Sequence, residues 1–353
     1  MTDLAVTQDA GTDHPVAGGA ALEGLEPDDA VAPEARLEQY RSELTGYCYR
    51  MLGSAFEAED AVQETMVRAW RGLDRFEGRA ALRSWLYRIA TNVCLDMLKG
   101  SSRRARPMDL ASPVPANSPL PEALPEATWI SPIPDGRVLP ANGDPADVAV
   151  AKESVRLAFI AALQHLAPRQ RAVLILREVL AWKASEVAEL LGTTVASVNS
   201  ALQRARAALA EREVGSLAGD SPAAAMDDEQ QSLLDRYVAA FESYDLDALT
   251  SLLREDAILS MPPYDLWLRG HAEIRGWMLG HGVGCRGSRL VPVEANGAPA
   301  FGQYRPAAGP EGGFEPWALQ VIEISDGQIV GLNSFLDTAR LFPLFGLPSR
   351  LEA

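Results

Sequence analysis

The pattern of apolar and polar positions between residues 80 and 106 predicts one long amphipathic helix. At helical spacing, the apolar face consists of Trp85, Leu86, Ile89, Ala90, Val93, Met97 and Leu98. The opposite face carries Arg88, Thr91, Asn92, Asp96 and Lys99, and the basic end adds Arg103, Arg104 and Arg106. A polar face of this kind can contact phosphates and base edges of a nucleic acid. Basic residues near a helix C-terminus interact favourably with the helix dipole. A solvated surface helix is the commoner meaning of this pattern, so the neighbouring segments must decide.

Two further helices are predicted before this stretch. The first ends at Gly53 and repeats apolar residues at helical spacing: Leu37, Tyr40, Leu44, Tyr47, Cys48 and Met51. Ser54 and Glu57 then form a capping-box pattern for the second helix. The second helix is predicted to bury Ala58, Val62, Met66, Ala69 and Trp70, and to expose Asp60, Gln63, Glu64 and Arg68.

Residues 148–214 are predicted to form a second helical domain that contains a helix-turn-helix. Its two helices span residues 182–192 and 195–210, with Gly192 as the stop and Thr194 as the cap of the second helix. A recognition helix enters the major groove of DNA by its N-terminal end. The side chains placed to reach bases and phosphates there are Ser197, Asn199, Ser200, Gln203 and Arg204.

The segments that join the domains differ from them in composition. Residues 1–33 are acidic, lack periodicity and are predicted to be disordered. Residues 107–147 are Pro-rich and acidic, which predicts a linker without a packed element. Within it, Trp129 and Ile130 are either an anchor or loop residues without a structural role. Small residues over 215–226 predict another linker.

Residues 227–340 are predicted to form an α+β domain, followed by a C-terminal tail over 341–353. Two helices come first, and a strand at 258–261 and a helix at 270–279 follow. A curved antiparallel sheet is predicted from strands at 289–294, 300–304, 317–324 and 329–336, with a hairpin turn at 325–327. The fold class is therefore multidomain, with two all-α domains and one α+β domain.

The net charge of −16 argues against nucleic acid as a partner until its distribution is considered. Acidic residues gather in the N-terminal segment and the Pro-rich linker, whereas basic residues gather near residues 99–106 and 204–206. Local charged patches, rather than the net charge, determine whether the protein can contact a nucleic acid, because dissolved salt screens charges that are more than about 8–10 Å apart. Cys48, Cys94 and Cys285 are far apart, so neither a disulfide framework nor a metal site is expected, and no cofactor is expected.

The N-terminus lacks the apolar core of a signal peptide, and no apolar run reaches the roughly 18–20 residues that span a bilayer. We therefore expect a cytoplasmic protein without a membrane partner.

The helical part up to Arg106 resembles region 2 of the extracytoplasmic-function (ECF) group of sigma-70 factors. The likeness rests on residues 59–65 (EDAVQET), Trp70, residues 76–79 (FEGR) and residues 82–92 (LRSWLYRIATN). The resemblance implies binding to the clamp-helix coiled coil of the RNA polymerase β′ subunit through Asp60, Gln63 and Glu64, with Arg68 and Trp70 nearby. It also implies melting and reading of the −10 promoter element. The candidates for that role are Phe76, Arg79, Arg83, Tyr87, Arg88, Asn92, Asp96 and Lys99.

The helix-turn-helix resembles sigma region 4, which reads the −35 element. One departure changes what can be carried over. Where many relatives have Lys and Arg on the reading face, this chain has Asn199 and Ala201 in the segment Asn199-Ser200-Ala201-Leu202. With two cations missing, phosphate contacts are expected to be weaker, and the −35 specificity of relatives does not transfer.

The α+β domain resembles the SnoaL-like domain, a cone that encloses a pocket. Residues 241–249 (FESYDLDAL) and 261–263 (MPP) carry the likeness. The candidate pocket residues are Met261, Trp267, Trp277, His281, Trp317, Asn333 and Phe335. Enzymes of this fold use an acid–base residue there, but His271 and His281 have no carboxylate partner in the sequence. We therefore expect a regulatory domain, with a small-molecule ligand as an open alternative.

Together these features predict an alternative sigma factor that is not an enzyme. Its expected partners are the RNA polymerase core, through β and β′, and promoter DNA. Two alternatives remain at this point. The chain could be a SnoaL-like enzyme or ligand sensor fused to a DNA-binding regulator, or a repressor that acts without polymerase. The acidic helix at residues 60–64 argues against a repressor, which has no need of it.

Overall fold

The computed structural model describes residues 33–76, 81–140, 144–210, 228–309 and 312–352. The predicted disorder of residues 1–32, the linker at 215–226 and the candidate Arg79 lie outside these ranges. The N-terminal helices are α1 (Pro33–Glu38), α2 (Arg41–Leu52), α3 (Ala55–Gly72) and α4 (Leu82–Met97), with a 3₁₀ turn at Leu73–Arg75.

The predicted helix boundaries around Gly53 are confirmed. Gly53 ends α2 with a φ of 73°, a conformation that glycine adopts without strain. The Ser54 hydroxyl accepts a hydrogen bond of 3.4 Å from the Glu57 backbone N–H and so caps α3. The apolar faces of α2, α3 and α4 meet in a core that contains Tyr47 and Leu86.

Two residues lie on the opposite face from the one predicted. Trp70 was expected inside, but 58% of it is exposed near the end of α3. Thr91 was expected on the polar face of α4, but it is buried, and its hydroxyl lies 2.7 Å from the Tyr47 hydroxyl. Helix α4 also ends at Met97, so Arg103, Arg104 and Arg106 lie beyond the helix rather than in its last turn.

The prediction that residues 107–147 lack a packed element is wrong. The segment contains α5 (Pro107–Leu110), a 3₁₀ turn at Glu126–Thr128 and α6 (Asp135–Val138). Trp129, Ile130 and Ile133 are buried, and Trp129 and Ile130 are thus an anchor. Proline and acidic residues occupy the exposed positions, and the few apolar residues carry the packing.

The second helical domain contains α7 (Pro145–Glu153), α8 (Leu157–Gln164), α9 (Pro168–Leu174), a π turn at Ile175–Val179, α10 (Ala184–Leu190) and α11 (Val195–Ala210). The predicted turn is confirmed, with Gly192 at a φ of 60° and the Thr194 hydroxyl 3.1 Å from the Ser197 backbone N–H. This domain packs directly on the first one. The buried Arg171 guanidinium donates to the Met51 carbonyl, across the boundary between the two domains.

The C-terminal domain begins with α12 (Asp228–Ser243) and α13 (Leu246–Ser251). Its other elements are β1 (Leu253–Ser260), β2 (Trp267–Arg269), α14 (His271–Leu279), a 3₁₀ turn at His281–Cys285, β3 (Arg289–Ala295), β4 (Ala298–Pro306), β5 (Phe314–Ser325), β6 (Gln328–Phe335) and α15 (Thr338–Leu344). Strand β2 was not predicted, because three residues carry no periodicity.

The six strands form one sheet in the order β2-β1-β6-β5-β4-β3. The sheet is mixed, since β1 pairs with β6 in parallel whereas the other pairs are antiparallel. The purely antiparallel sheet that we predicted is therefore wrong at this one pair. The α+β class and the two all-α domains are confirmed.

Buried apolar residues of the described part of the chain form two clusters. One lies between the sheet and α12–α14, and contains Tyr237 and Trp277. The other is continuous from the helical domains to the outer face of the sheet, where Tyr304 and Leu319 lie. The C-terminal residues belong to it, since the Phe342 ring packs 5.1 Å from that of Tyr304. The C-terminal domain thus shares a core with the helices instead of lying apart.

Candidate functional site

The candidate polymerase contacts on α3 share one exposed face. The described side chains of this set are all exposed: Asp60, Gln63, Glu64, Arg68 and Trp70. The Arg68 Nε atom lies 2.6 Å from Glu64 Oε1, one helical turn away. An exposed tryptophan beside charged groups is typical of a protein-binding surface, because tryptophan anchors buried at an interface contribute much of its binding energy.

The candidate −10 residues on and before α4 fall into two groups. Arg88, Asn92, Asp96 and Lys99 are exposed. Lys99 lies 2.7 Å from the Asp96 carboxylate, and this hydrogen bond holds the pKa of Asp96 below its ordinary value. These four side chains are thus available for contact with a nucleic acid.

The second group is covered by protein. Phe76 is half-buried, and its ring lies 5.1 Å from that of Trp85. Arg83 is also half-buried and donates to Glu43 at 2.7 Å. Tyr87 is fully buried, contrary to its selection as a base contact, because its ring is enclosed by Tyr47 and Trp182.

The second helical domain covers part of the α4 face. The rings of Tyr87 and Trp182 lie 5.0 Å apart, and the Arg83 guanidinium lies 5.3 Å from each of these two rings. Farther along α4, Arg88 donates to the Glu189 carbonyl at 3.2 Å. The first helix of the helix-turn-helix therefore rests on the surface that was selected for the −10 element.

The basic residues after α4 make structural contacts. Arg104 is buried, and its guanidinium lies 2.8 Å from Glu57 and 3.1 Å from Glu126. It also donates to the Trp129 carbonyl at 2.6 Å. Arg106 pairs with Asp109 at 3.3 Å. This cluster fastens the linker to α3, so it is a poor candidate for phosphate contact.

The candidate −35 residues are all exposed on α11. They are Ser197, Asn199, Ser200, Gln203 and Arg204. Val198 and Leu202 face inward between them and hold the helix on the domain core. The predicted reading face is thus exposed along the first three turns of α11, as docking in a major groove requires.

The seven candidate pocket residues do not surround one cavity. Met261, Trp277 and Trp317 line a space of only about 40 Å³ inside the cone. This space is close to that needed by a single water molecule. Hydrogen-bonded side chains line it. The Tyr237 hydroxyl donates to the Gln320 side-chain oxygen at 2.7 Å, and the Gln320 side-chain nitrogen donates to the Gln303 side-chain oxygen at 2.9 Å.

The remaining pocket candidates have other contacts. The Trp267 indole N–H donates to the Ala111 carbonyl at 2.8 Å, which ties β2 to the linker. His281 is exposed and stacks on Trp277, and Asn333 is paired with Ser260 at 2.8 Å. Phe335 lies in a different cavity, of about 510 Å³, which Trp317 also lines.

Asn296 joins three parts of the chain, although the sequence pattern does not indicate a functional role for it. Asn296 lies at the tip of the β3–β4 hairpin, with a φ of 58°. Its side-chain oxygen accepts from the Ile133 backbone N–H at 3.0 Å, and its side-chain nitrogen donates to the Tyr49 hydroxyl at 2.6 Å and to the Val155 carbonyl at 2.7 Å. The hairpin tip is thus bonded to the first domain, the linker and the second domain.

The residues around this tip are tightly packed. The Gly297 N–H donates to the buried Asp135 carboxylate at 2.7 Å, and a Cβ at Gly297 would lie 2.7 Å from the Lys152 carbonyl oxygen. Burial raises the pKa of Asp135 to about 6. The Asn-Gly pair in the sequence is a turn signal, but nothing in it indicates where the turn inserts.

Neither a metal centre nor a membrane span is found in the part of the chain that the structure describes. Within residues 33–76, 81–140, 144–210, 228–309 and 312–352, no group of three His, Cys, Asp or Glu side chains could hold a metal ion. No helix within these same ranges is long and apolar enough to cross a bilayer.

Comparison with known proteins agrees with the order of the domains. The Sigma-70 region 2 family matches residues 37–104, the Sigma-70 region 4 family residues 156–209, and the SnoaL-like domain family residues 234–332. Over 338 residues the chain is 44% identical to the ECF RNA polymerase sigma factor SigG of Mycobacterium tuberculosis H37Rv, a match that covers 93% of this chain and 88% of SigG. The chain belongs to the ECF RNA polymerase sigma factors. It is an alternative sigma factor for transcription initiation, and it carries a C-terminal SnoaL-like domain.

The chain is also similar to a second ECF sigma factor over most of its length. The sigma factor is 28% identical over 310 residues to SigJ of M. tuberculosis H37Rv, which covers 84% of this chain and 89% of SigJ. The crystal structure of M. tuberculosis SigJ has the same fold, with a TM-score of 0.55 at 23% identity over 89% of this chain and 99% of that one. The family implies RNA polymerase core and promoter DNA as partners, and a transcription regulator that is not an enzyme.

Proposed function

We propose that the C-terminal domain holds this sigma factor in a closed form, and that binding to core polymerase opens it. The closed form has two parts. The second helical domain covers Arg83 and Tyr87 on α4, so those two side chains cannot reach a −10 element, and it holds the exposed Arg88 through a hydrogen bond to the Glu189 carbonyl. The β3–β4 hairpin tip bonds to both helical domains at once and so opposes their separation.

In the open form the three exposed surfaces take the roles that the family suggests. Asp60, Gln63, Glu64, Arg68 and Trp70 bind the β′ subunit, since an acidic face with one large aromatic anchor complements a basic partner. Phe76, Arg79, Arg83, Arg88, Asn92, Asp96 and Lys99 face the −10 element, and the exposed side chains of α11 face the −35 element. The β subunit is the expected partner of the second helical domain. Because RNA polymerase core and promoter DNA are its proposed partners, we expect the protein to act in the cytoplasm.

The C-terminal domain regulates and does not catalyse in this proposal. Its cone interior of about 40 Å³ is too small for a substrate. The His271 imidazole bonds to the Leu253 carbonyl at 3.0 Å, and His281 stacks on Trp277 at the surface. Neither histidine is arranged as the acid or base of an enclosed reaction.

The single observation that carries the proposal is the triple bonding of Asn296. Its side chain contacts Tyr49, Ile133 and Val155, which belong to three parts of the chain that must separate on opening. A hydrogen bond of this kind contributes about 0.5–1.5 kcal/mol. Loss of all three is therefore expected to shift the closed–open equilibrium by about ten-fold or more.

The test is promoter-dependent transcription by core polymerase with the full chain and with Asn296→Gly. Glycine accepts the positive φ at this position, so only the side-chain bonds are lost. The matched control is Asp326→Gly at the β5–β6 turn, an exposed position that also has a positive φ. We expect about ten-fold more transcript at limiting core polymerase from Asn296→Gly and no change from the control. Less transcript from Asn296→Gly would mean that the domain supports the active form.

A further inference from the structure

A cavity of about 510 Å³ lies where three parts of the chain meet. It is distinct from the small space inside the cone. Phe56 of α3 forms one wall, Trp129 of the linker a second, and Tyr264, Trp317 and Phe335 of the C-terminal domain a third. The volume falls within the range of 300–1,000 Å³ that is usual for small-molecule sites, and such sites are frequent at domain junctions.

The walls of the cavity favour a flat, largely apolar molecule. Five aromatic rings and several proline and leucine side chains line it. The charged groups at its edge are already paired, since Arg340 lies 3.6 Å from Glu126 and 4.0 Å from Asp337. The Arg340 guanidinium also lies 3.9 Å from the centre of the Phe56 ring. With its carboxylates neutralised in this way, the cavity favours an uncharged ligand.

One polar group in the lining has no partner. The indole Nε1 atom of Trp129 is buried, and no hydrogen-bond acceptor for it exists among the described residues. Trp129 as a whole is only 4% exposed. Because this atom has no accessible surface, a ligand in the cavity cannot reach it, and Trp129 offers the cavity only apolar ring surface.

We propose that this junction cavity is a binding site for flat, uncharged molecules of about three fused rings. The rings pack between Phe56, Tyr264 and Phe335. The ligand contacts all three walls only when the domains are closed, so it binds the closed form more tightly. This last step rests on the closed form proposed above, whereas the site itself does not.

The test is calorimetric titration of the full chain with 9-fluorenone, using fluorene-9-carboxylate as the matched probe. Both carry the same three fused rings, but fluorene-9-carboxylate is charged. We expect saturable binding of one 9-fluorenone per chain, with fluorene-9-carboxylate at least ten-fold weaker, because a buried charge without a partner is unfavourable.

A second variant fills the cavity. Leu124 lines it, and its backbone N–H is bonded to the Pro263 carbonyl, so Leu124→Trp leaves the local backbone bond in place. We expect Leu124→Trp to weaken 9-fluorenone at least ten-fold, whereas Leu120→Trp, at an exposed linker position outside the lining, changes it less than two-fold. Absence of binding by the unaltered chain, or equal binding by Leu124→Trp, would overturn the site. Equal binding of both probes would overturn the assigned ligand chemistry.

The closed-form step has its own readout. Asn296→Gly should weaken 9-fluorenone if the ligand prefers the closed form. Unchanged affinity in that variant, with normal binding by the unaltered chain, would overturn the coupling while leaving the site intact. The titration contains neither polymerase nor DNA, so its outcome is independent of the transcription test.

Discussion

The rings of Tyr87 and Trp182 lie 5.0 Å apart and tilted by 55°, one on α4 of sigma region 2 and the other just before α10 of region 4. Aromatic pairs at this distance contribute roughly 0.5–1.5 kcal/mol beyond the burial of their area. The pair therefore helps to hold the two sigma regions together, at the surface that is proposed to face the −10 element.

Trp182→Ala should open this contact. Truncation of a buried tryptophan costs about 3–5 kcal/mol, part of which comes from the region 4 core. We expect faster amide hydrogen exchange in α4 and α10, and a larger radius of gyration by small-angle X-ray scattering. Trp70→Ala is the control, since Trp70 is exposed and far less packed. Equal protection of α4 in both variants would show that the pair does not hold the regions together.

Trp70→Ala has an expected effect of its own, on binding to core polymerase. Tryptophan anchors at interfaces cost about 2 kcal/mol or more when truncated, which corresponds to roughly thirty-fold in affinity. Fluorescence anisotropy of a labelled sigma factor titrated with core polymerase would measure this loss. Leu279→Ala, at an apolar position of the C-terminal domain that is 55% exposed, should leave the affinity unchanged. An equal loss in both variants would place the contact elsewhere.

Arg104→Met should destabilise the fold. The Arg104 side chain is 4% exposed and joins Glu57 of α3 to Glu126 and Trp129 of the linker. Removing one partner of a buried charge network costs about 3–5 kcal/mol, although the partial exposure of both glutamates favours the lower end. Urea unfolding measures the change. Arg103→Met, which removes a neighbouring charge that is exposed, should cost less than about 1 kcal/mol.

Asp135 should make stability depend on pH between about 4 and 6. Burial raises its pKa from 3.8 to about 6, although the hydrogen bond from Gly297 lowers it; Glu294 adds a further rise and Lys152 a smaller opposing effect. Because the folded state binds the proton more tightly, this group favours folding below pH 4 and loses that contribution as the pH rises to 6. A shift of about two units corresponds to about 3 kcal/mol.

The measurement is the difference in unfolding free energy between Asp135→Asn and the unaltered chain, at pH 4 and at pH 7. The amide oxygen of Asp135→Asn can still accept from Gly297. From pH 4 to pH 7, the unfolding free energy of this variant should therefore rise by about 3 kcal/mol relative to that of the unaltered chain. Asp326→Asn, at an exposed turn, should show no such change. A difference that stays constant with pH would rule out titration of Asp135 in this range.

Arg204→Ala should weaken the salt dependence of −35 binding. If Arg204 contacts a phosphate, its loss lowers the slope of log affinity against log salt by about 1. The holoenzyme is titrated with a duplex that contains the −35 element, over a range of salt. Arg236→Ala on α12 is the control, because it removes an exposed cation of the C-terminal domain. Identical slopes for both variants would remove Arg204 from the phosphate contacts.

The sequence predicts the local helices and their ends well, but it does not predict which distant segments pack against one another. Gly53, Ser54 and Thr194 carry local geometry, so their caps and stops were predictable from neighbouring residues. Proline and acidic residues make the linker resemble a solvated chain, because the five buried apolar residues of its described part, at 129, 130, 133, 138 and 139, are too few to show a period. Trp70 fitted the apolar spacing of α3, but polarity patterns do not distinguish a core from a surface that another protein covers.

The same limit applies to the candidate site. Except for Trp70, the exposed candidate residues of α11 and α3 follow from helical periodicity alone. The burial of Tyr87 does not, since it depends on Trp182, which lies 95 residues further along the chain. The role of Asn296 depends on which residues the tip of its hairpin contacts in the folded protein. These residues lie up to 247 positions away in the sequence.

That separation has a consequence for the order of events during synthesis. Tyr49 leaves the ribosome 247 residues before Asn296 does. At about 5–20 residues per second, this interval lasts roughly 12–50 s. The second helical domain is complete at Ala210, so for the last 86 residues of this interval, about 4–17 s, the nascent chain has both helical domains and no hairpin to fasten them. A newly made molecule is therefore unrestrained while it is still attached to the ribosome, and becomes restrained only after its last domain has folded.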